Sequence, residues 1–183
     1  MITLILGTPD SGKSMLAEKM AMERAKGDLI YLATMIAYDE EGRERIAKHR
    51  NMREGKGFIT IEKPFNITEI LDELTEDSTV LLECITNLVG NEMHENGTRY
   101  VHNGDSGVMG IDIEDLCEKL VDDIKAIGEK VACLILVSNR FMDLTGDTYQ
   151  GETKKFTDAV NALNMKLGDI ADDIAVIAPK GAN

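Results

Sequence analysis

Short apolar runs alternate along the chain with longer stretches whose apolar positions recur at helical spacing. The short runs predict strands and the longer stretches predict helices, several of them bounded by a capping residue or a glycine. The predicted strands are residues 2–6, 29–33, 58–61, 80–84, 131–137 and 174–178. The predicted helices are residues 14–26, 39–53, 67–74, 85–93, 111–127 and 152–170, with Gly27 and Gly128 expected to end the first and the fifth.

The predicted strands are apolar at nearly every residue, which is typical of a parallel sheet covered by helices on both faces. The alternation of strands and helices therefore predicts an α/β fold. A chain of 183 residues is long enough for about one domain, so we expect residues 1–183 to form a single α/β domain. Residues 95–110 contain four glycines and are expected to form a loop or lid.

The net charge of the chain limits the kinds of ligand that it can bind by bulk electrostatics. The chain has 33 acidic and 20 basic residues, which gives a formal net charge of −13. This charge excludes a protein that holds nucleic acid or an anionic membrane by bulk electrostatics, so any bound anion needs a local site. The longest apolar run is too short to span a bilayer and no secretory signal is visible, so we expect a cytoplasmic protein.

That local anion site is predicted at the first strand–helix junction. The segment fits the pattern G-x-x-x-x-G-K-[ST] without departure, and its residues are Gly7, Thr8, Pro9, Asp10, Ser11, Gly12, Lys13 and Ser14. In such a loop the backbone N–H groups and the helix N-terminus surround phosphate oxygens. Lys13 is expected to reach the β- and γ-phosphates from an exposed position in the empty site. The Ser14 hydroxyl is expected to bind Mg²⁺.

A phosphate loop of this kind needs an acidic partner for the metal ion. Glu83 follows three apolar residues at the carboxyl end of a predicted strand, on the edge of the sheet where ligands bind in open α/β folds. We therefore expect Glu83 to contact Mg²⁺ directly or through water. The same pattern would also fit a solvated carboxylate at the end of a strand.

A second group of candidate functional residues, three arginines and a histidine, lies in the predicted helix 39–53. Arg45, His49 and Arg53 are four residues apart and share one helix face, with Arg50 beside them. A neutral imidazole is a nucleophile, and the arginines could hold the phosphates of the nucleotide being attacked. From the spacing alone, a solvated basic face with an incidental histidine fits better.

Further motifs follow these two in a fixed order. They are Tyr31-Leu32-Ala33-Thr34, Arg45-Ile46-x-x-His49-Arg50-x-x-Arg53, Thr60-x-Glu62-x-Pro64, Leu82-Glu83-Cys84-Ile85-Thr86 with Asn91, Val137-Ser138-Asn139, and Phe156-x-Asp158 with Leu163-Asn164. Together they resemble the bifunctional adenosylcobinamide kinase / adenosylcobinamide-phosphate guanylyltransferase family of cobalamin biosynthesis. The resemblance covers nearly the whole chain, and the phosphate loop followed by the arginine–histidine helix is its most specific part.

The resemblance implies a P-loop NTPase of RecA-like fold that assembles as a homo-oligomer and acts on a corrinoid. It implies two reactions: phosphorylation of adenosylcobinamide by ATP or GTP with Mg²⁺, and transfer of GMP from GTP to the product through a guanylylated histidine. The histidine corresponds to His49, with Lys13 as the other catalytic residue. The resemblance also places further residues near the nucleotide, namely Thr34, Arg50, Arg53, Glu62 and Glu83.

The sequence departs from the family pattern at four places, one of which is the loop 142–151, where the family's Gly-Ile-Val-Pro is absent. Glu54 stands where a proline is usual, Phe58 where a tryptophan is usual, and Arg140 reverses a charge beside the sheet edge. These positions fall around substrate loops and not in the phosphate loop. They leave two alternatives open: a relative that keeps one activity or uses another small alcohol, and a nucleotide-dependent switch that is not an enzyme.

Overall fold

The computed structural model describes residues 1–95, 112–141 and 149–178. Its strands are β1 (Ile2–Gly7), β2 (Leu29–Ala33), β3 (Ile59–Glu62), β4 (Thr79–Glu83), β5 (Cys133–Asn139) and β6 (Asp173–Ile177). Its α-helices are α1 (Lys13–Arg24), α2 (Glu40–Arg53), α3 (Ile85–Glu95), α4 (Ile113–Lys130) and α5 (Gly151–Ile170). The predicted loop or lid over residues 95–110 lies, apart from its first residue, outside the described residues.

The strands of the described residues form one parallel sheet in the order β3-β2-β4-β5-β1-β6. Their parallel pairing confirms the predicted α/β class. In register, Gly7 at the end of β1 lies beside Asn139 at the end of β5, and Ala33 at the end of β2 lies beside Glu83 at the end of β4. The carboxyl ends of the central strands therefore meet along one edge.

Two apolar layers explain why the central strands are apolar throughout. On one face Leu4, Leu82 and Leu136 pack with residues of α3, α4 and α5. On the other face Ile5 and Leu81 pack against α1. Fully burying one such side chain contributes about 1.5–3 kcal/mol, so the two layers hold the sheet edge in place.

The edge strands are less covered than the pattern predicted. Ile59 on β3, and Ile174 and Val176 on β6, are about half exposed. The expectation of burial on both faces is therefore correct for the central strands and wrong for the edges. The reason is that the helices of the described residues pack mainly over the central strands, which leaves the faces of β3 and β6 less covered.

Three helix predictions were wrong in type or in end point. Residues Ile67–Glu73 form a short 3₁₀ helix instead of an α-helix. Helix α1 ends at Arg24, before Gly27. That glycine is needed instead for close packing, since a Cβ there would lie 2.9 Å from the Cβ of Asp77.

Gly128 does not end α4, which continues to Lys130. A Cβ at Gly128 would lie 2.7 Å from Cδ1 of Ile2. This glycine therefore allows the helix to approach β1 closely, and the prediction that it terminates the helix was wrong.

Candidate nucleotide-binding and transfer site

The phosphate loop connects β1 to α1 and depends on two glycines for its shape. A Cβ on Gly7 would lie 2.5 Å from the Ser11 Oγ, so no side chain fits there. Gly12 has φ 95°, a left-handed conformation that side-chain-bearing residues rarely adopt. These positions explain why the sequence pattern needs glycine at both ends of the loop.

Lys13 is buried, with 9% of its surface exposed, and its Nζ donates a 3.1 Å hydrogen bond to the Thr8 carbonyl. The expectation that this ammonium would be exposed was therefore wrong. The side chain folds back over its own loop, where a carbonyl oxygen compensates for the water that it has lost. It still lines the cavity described below.

Glu83 is buried at the end of β4 and both its oxygens are used. The Ser14 hydroxyl donates to Oε1, and the Tyr31 hydroxyl donates to Oε2 at 2.9 Å. This environment argues against a solvated strand-end carboxylate. A serine oxygen and a carboxylate beside a phosphate loop are hard oxygen donors, which suit Mg²⁺ held by one carboxylate and nucleotide phosphates. The residues present therefore fit the implied metal ion.

Tyr31 on β2 was not predicted as a site residue. It is 3% exposed, and burial together with the neighbouring Glu83 charge raises the pKa of its hydroxyl, which is therefore a donor at neutral pH. The guanidinium carbon of Arg53 lies 3.4 Å from the centre of its ring. Phe58 meets the same ring edge-on, with the ring centres 6.1 Å apart. A hydroxyl-bearing residue in an otherwise apolar strand was the one sequence signal for this role.

Helix α2 presents the histidine. Asp39 caps it by accepting a 2.7 Å hydrogen bond from the Gly42 N–H, and acidic residues in its first turn and basic ones in its last suit the helix dipole. His49 is half-buried, and its Nδ1 is buried with no hydrogen-bond partner among the described residues. Arg53, one turn further on, is 6% exposed, and its Nε and Nη1 also lack partners there. These unpaired groups distinguish α2 from a solvated basic helix.

A cavity of about 690 Å³ lies between the phosphate loop, the ends of β2 and β4, and α2. Its volume is in the range usual for small-molecule sites. The predicted site residues that line it are Pro9, Asp10, Gly12, Lys13, Ser14, His49, Arg50, Arg53, Glu62 and Glu83. Its wall thus includes both the phosphate loop and the histidine, which are far apart in the sequence.

Thr34 is not among the lining residues. It is fully buried, and its hydroxyl donates to the Cys84 carbonyl and accepts from the Cys84 N–H, both at 2.8 Å. Gly7, Thr8 and Ser11 likewise belong to the structure of the loop and not to the cavity wall. Thr34 therefore fixes the ends of β2 and β4 to each other and has no direct contact with the cavity.

The wall also contains residues that were not predicted to be site residues, including Cys84, Asn87 and Asn139. Burial raises the pKa of the Cys84 thiol to about 11, so it stays protonated at neutral pH and is a poor nucleophile. Glu62 is exposed and forms an ion pair with Arg50, and both residues line the cavity. Of Cys84 and His49, the imidazole is therefore the better nucleophile at neutral pH.

Three of the departures from the family pattern lie around this cavity, and the fourth, in the loop 142–151, falls mostly outside the described residues. Glu54 is exposed at the end of α2, in a turn whose Lys56 reaches Glu18 on α1 with an Nζ–Oε2 distance of 2.5 Å. Phe58 packs against Tyr31. Arg140 is exposed beyond β5, and its backbone N–H donates to the Gly7 carbonyl at 3.1 Å. The phosphate loop itself is unaffected.

A glycine-rich phosphate loop follows the first strand of the parallel sheet, and a buried carboxylate lies on the same edge at the end of β4, with β5 between the two strands. This arrangement defines a P-loop NTPase of RecA-like fold. The fold of a solved ATPase domain is similar, with a TM-score of 0.52 and 12% identity over 96% of this chain and 68% of that one. Residues 3–181 match the family described as "Cobinamide kinase / cobinamide phosphate guanyltransferase", and the chain belongs to this family of enzymes.

Curated relatives agree with that family. The "Bifunctional adenosylcobalamin biosynthesis protein CobU" of Salmonella typhimurium is 28% identical over 180 residues, which cover 97% of this chain and 95% of the relative. The corresponding protein CobP of Pseudomonas aeruginosa is 39% identical over 87 residues, and the match spans about half of each chain (47% and 49%). A helix that is both long and apolar enough to cross a bilayer does not occur within residues 1–95, 112–141 and 149–178.

Proposed function

We propose that this chain uses a nucleoside triphosphate to phosphorylate the hydroxyl of a cobinamide and then transfers GMP from GTP to that phosphate through His49. The observation that carries the proposal is the shared cavity, which brings His49 and the phosphate loop to one nucleotide-sized space. The family description and the names of the relatives support the choice of a corrinoid alcohol and of guanylyl transfer.

In the first step the alcohol oxygen of the acceptor attacks the γ-phosphorus. The new O–P bond forms, the bond to the β-phosphate oxygen breaks, and the nucleoside diphosphate leaves while the alcohol proton passes to solvent. Lys13 and the loop N–H groups neutralise the charge that develops on the phosphates. Ser14 and Glu83 would hold Mg²⁺, which would supply further neutralisation of phosphate charge.

In the second step we assign the attack to Nε2 of His49, because His49 lines the cavity and its Nδ1 is buried, which leaves Nε2 as the ring nitrogen available to a nucleotide. The Nε2–Pα bond of a guanylylated ring forms and pyrophosphate leaves with the electron pair, while Nδ1 retains its proton. The acceptor phosphate then attacks the same phosphorus, and the electron pair of the broken N–P bond returns to Nε2. Arg53, beside the histidine, would hold phosphate oxygens while GMP passes to His49 and again while it passes to the acceptor phosphate.

The remaining expectations about partners belong to the same proposal. The nucleotide substrates are ATP or GTP for phosphorylation and GTP for guanylylation, and the acceptor is a corrinoid small molecule. We propose a cytoplasmic homo-oligomer with no nucleic-acid or membrane partner, consistent with the net charge of −13 and with the biosynthetic role named for the relatives.

The experiment incubates the protein with GTP labelled on the α-phosphate and Mg²⁺. We expect one GMP per chain, release of pyrophosphate, and a phosphoramidate that survives base and is lost in mild acid. His49→Ala should form no adduct but should still phosphorylate the alcohol, because that step needs no protein nucleophile. Lys13→Ala should lose both reactions, with turnover reduced by about a hundredfold or more.

His94→Ala is the matched control, since His94 lies exposed on α3 and does not line the cavity. It should form the adduct as the unmodified protein does. His102 lies outside the described residues, and its replacement by alanine should also leave the adduct intact. A stable adduct that persists in His49→Ala would overturn the assignment of the nucleophile. If the unmodified protein binds GTP but forms no adduct, the guanylyltransferase half of the proposal is wrong.

A further inference from the structure

We propose that Tyr31 is a positioning residue that serves both halves of the reaction, its hydroxyl holding Glu83 and its ring holding Arg53. The inference rests on the proposed function, and it concerns a residue that touches neither reacting atom. Tyr31 contacts Glu83 on β4, which phosphorylation needs for the metal ion, and Arg53 on α2, which guanylyl transfer needs beside His49.

The hydroxyl acts on the metal carboxylate. Glu83 has two hydrogen-bond donors, Ser14 on Oε1 and Tyr31 on Oε2. When the Ser14 oxygen is used for Mg²⁺, its bond to Glu83 has to rearrange, whereas the Tyr31 bond can remain. A partner of this kind orients a metal-binding carboxylate and raises its affinity for the ion. The hydroxyl therefore pre-sets the direction in which Oε1 points.

The ring acts on the histidine helix. Arg53 is buried, and its Nε and Nη1 have no hydrogen-bond partner in the described part of the chain. The flat face of Tyr31, 3.4 Å from the guanidinium carbon, is the contact that fixes its orientation. Because Arg53 is one turn after His49, the same contact also sets how the end of α2 faces the cavity. Phe58 buttresses the ring from its edge.

The rigidity of the strand makes Tyr31 suitable for this role. It lies two residues before the end of β2, where its backbone partner is Leu81 of β4 and Ala33 is the partner of Glu83. A side chain on a central strand moves less than one on a loop, so it can fix two groups that come from different elements. The two functions use different parts of the side chain and can be separated by substitution.

The test uses Tyr31→Phe, which keeps the ring, and Tyr31→Leu, which loses both functions. Mg²⁺ is titrated into the protein with a non-hydrolysable GTP analogue, and binding is followed by calorimetry. For Tyr31→Phe we expect the half-saturating Mg²⁺ concentration to rise roughly tenfold or more, with metal-free binding unchanged. At saturating Mg²⁺ its rate of adduct formation should recover to within about twofold of the unmodified protein, because the Arg53 contact remains.

Tyr31→Leu should show the same shift in Mg²⁺ dependence and a loss of guanylylation that saturating Mg²⁺ does not restore. Phosphorylation of the alcohol should recover more fully, because that step does not use the histidine helix. Arg53→Lys gives an independent check, since lysine keeps the charge but not the flat surface that stacks on the ring. It should reproduce the guanylylation defect without the Mg²⁺ shift. Tyr38→Phe, at an exposed tyrosine outside the cavity, is the control.

An unchanged Mg²⁺ titration for Tyr31→Phe would overturn the role of the hydroxyl, and normal guanylylation in Arg53→Lys would overturn the role of the ring. Equal losses in every assay, in proportion to a fall in melting temperature, would reduce Tyr31 to a structural residue. Failure of the proposed function is recognised separately, because then the unmodified protein forms no adduct while the binding titration still reports on Glu83.

Discussion

Replacement of Arg53 by methionine should stabilise the nucleotide-free protein and impair its activity. Arg53 is 6% exposed, and two of its nitrogens are buried without a hydrogen-bond partner among the described residues. Each buried unsatisfied donor costs about 1–3 kcal/mol. Methionine removes both donors, fills a similar volume, and can still contact the Tyr31 ring through its sulfur.

The loss of the cation–π contact opposes this gain. A desolvated contact of that kind is worth about 2 kcal/mol. Two relieved donors at the middle of their range give about 4 kcal/mol, so we expect a net gain of about 2 kcal/mol. For a chain of this length that corresponds to a rise in Tm of about 4–8 °C.

The assay is calorimetric unfolding of both proteins without nucleotide, followed by measurement of the adduct formed with labelled GTP. Arg53→Met should have the higher Tm and should form adduct at least about tenfold more slowly, since it lacks the charge next to His49. Arg43→Met on the same helix is the control: Arg43 is 59% exposed and paired with Glu40, so its replacement should change stability by less than about 0.5 kcal/mol. A Tm for Arg53→Met below that of the unmodified protein would refute the reasoning.

Two further predictions concern packing around the site. Lys56→Met should leave Glu18, which is 1% exposed, as an unpaired buried carboxylate. We expect the free energy of unfolding in urea titrations to fall by about 3 kcal/mol. The double variant Lys56→Met with Glu18→Gln should recover part of this loss, because it removes the buried charge. A loss no larger for the single variant than for the double would contradict this. Gly128→Ala should destabilise by about 1–3 kcal/mol despite alanine's better helix propensity, because its Cβ would lie 2.7 Å from Cδ1 of Ile2. Trimming Ile2 to valine should relieve the cost, and a stabilised Gly128→Ala would show that the contact adjusts freely.

The sequence was informative wherever a local rule and the tertiary fold agree. The central strands are apolar because both of their faces are buried, so their pattern alone predicted the parallel sheet. The phosphate loop was predictable because Gly7 and Gly12 satisfy a local steric requirement that few other residues can meet. The hypothesis that His49 is a nucleophile stays a prediction. It depended on the order of motifs along the chain, since the spacing of the basic residues alone is better explained by a solvated helix face.

The roles of Thr34, Tyr31 and Gly128 could not be predicted, because each depends on contacts between segments that are distant in the sequence. Thr34 is polar and lies at a strand end, which fits a ligand contact as well as the backbone bonds to Cys84 that it makes. Tyr31 had the pattern of an ordinary strand aromatic, because its partners Glu83 and Arg53 come from β4 and α2. The glycine at position 128 resembled a helix terminator, and only its distance from Ile2 shows why the helix continues past it.

The position of β1 inside the sheet has a consequence for the order in which a growing chain can fold. Strands β3 and β4 both pair with β2, so these three strands can pair once residues up to Glu83 have left the ribosome. Within the described sheet β1 has no such early partner, because Ile2 pairs with Leu134 and Thr3 with Asp173. The phosphate loop is thus synthesised first and supported last, since contacts of such long sequence separation form slowly and late. A ribosome-stalled chain that stops before β5 should therefore fold its first half and yet fail to retain nucleotide.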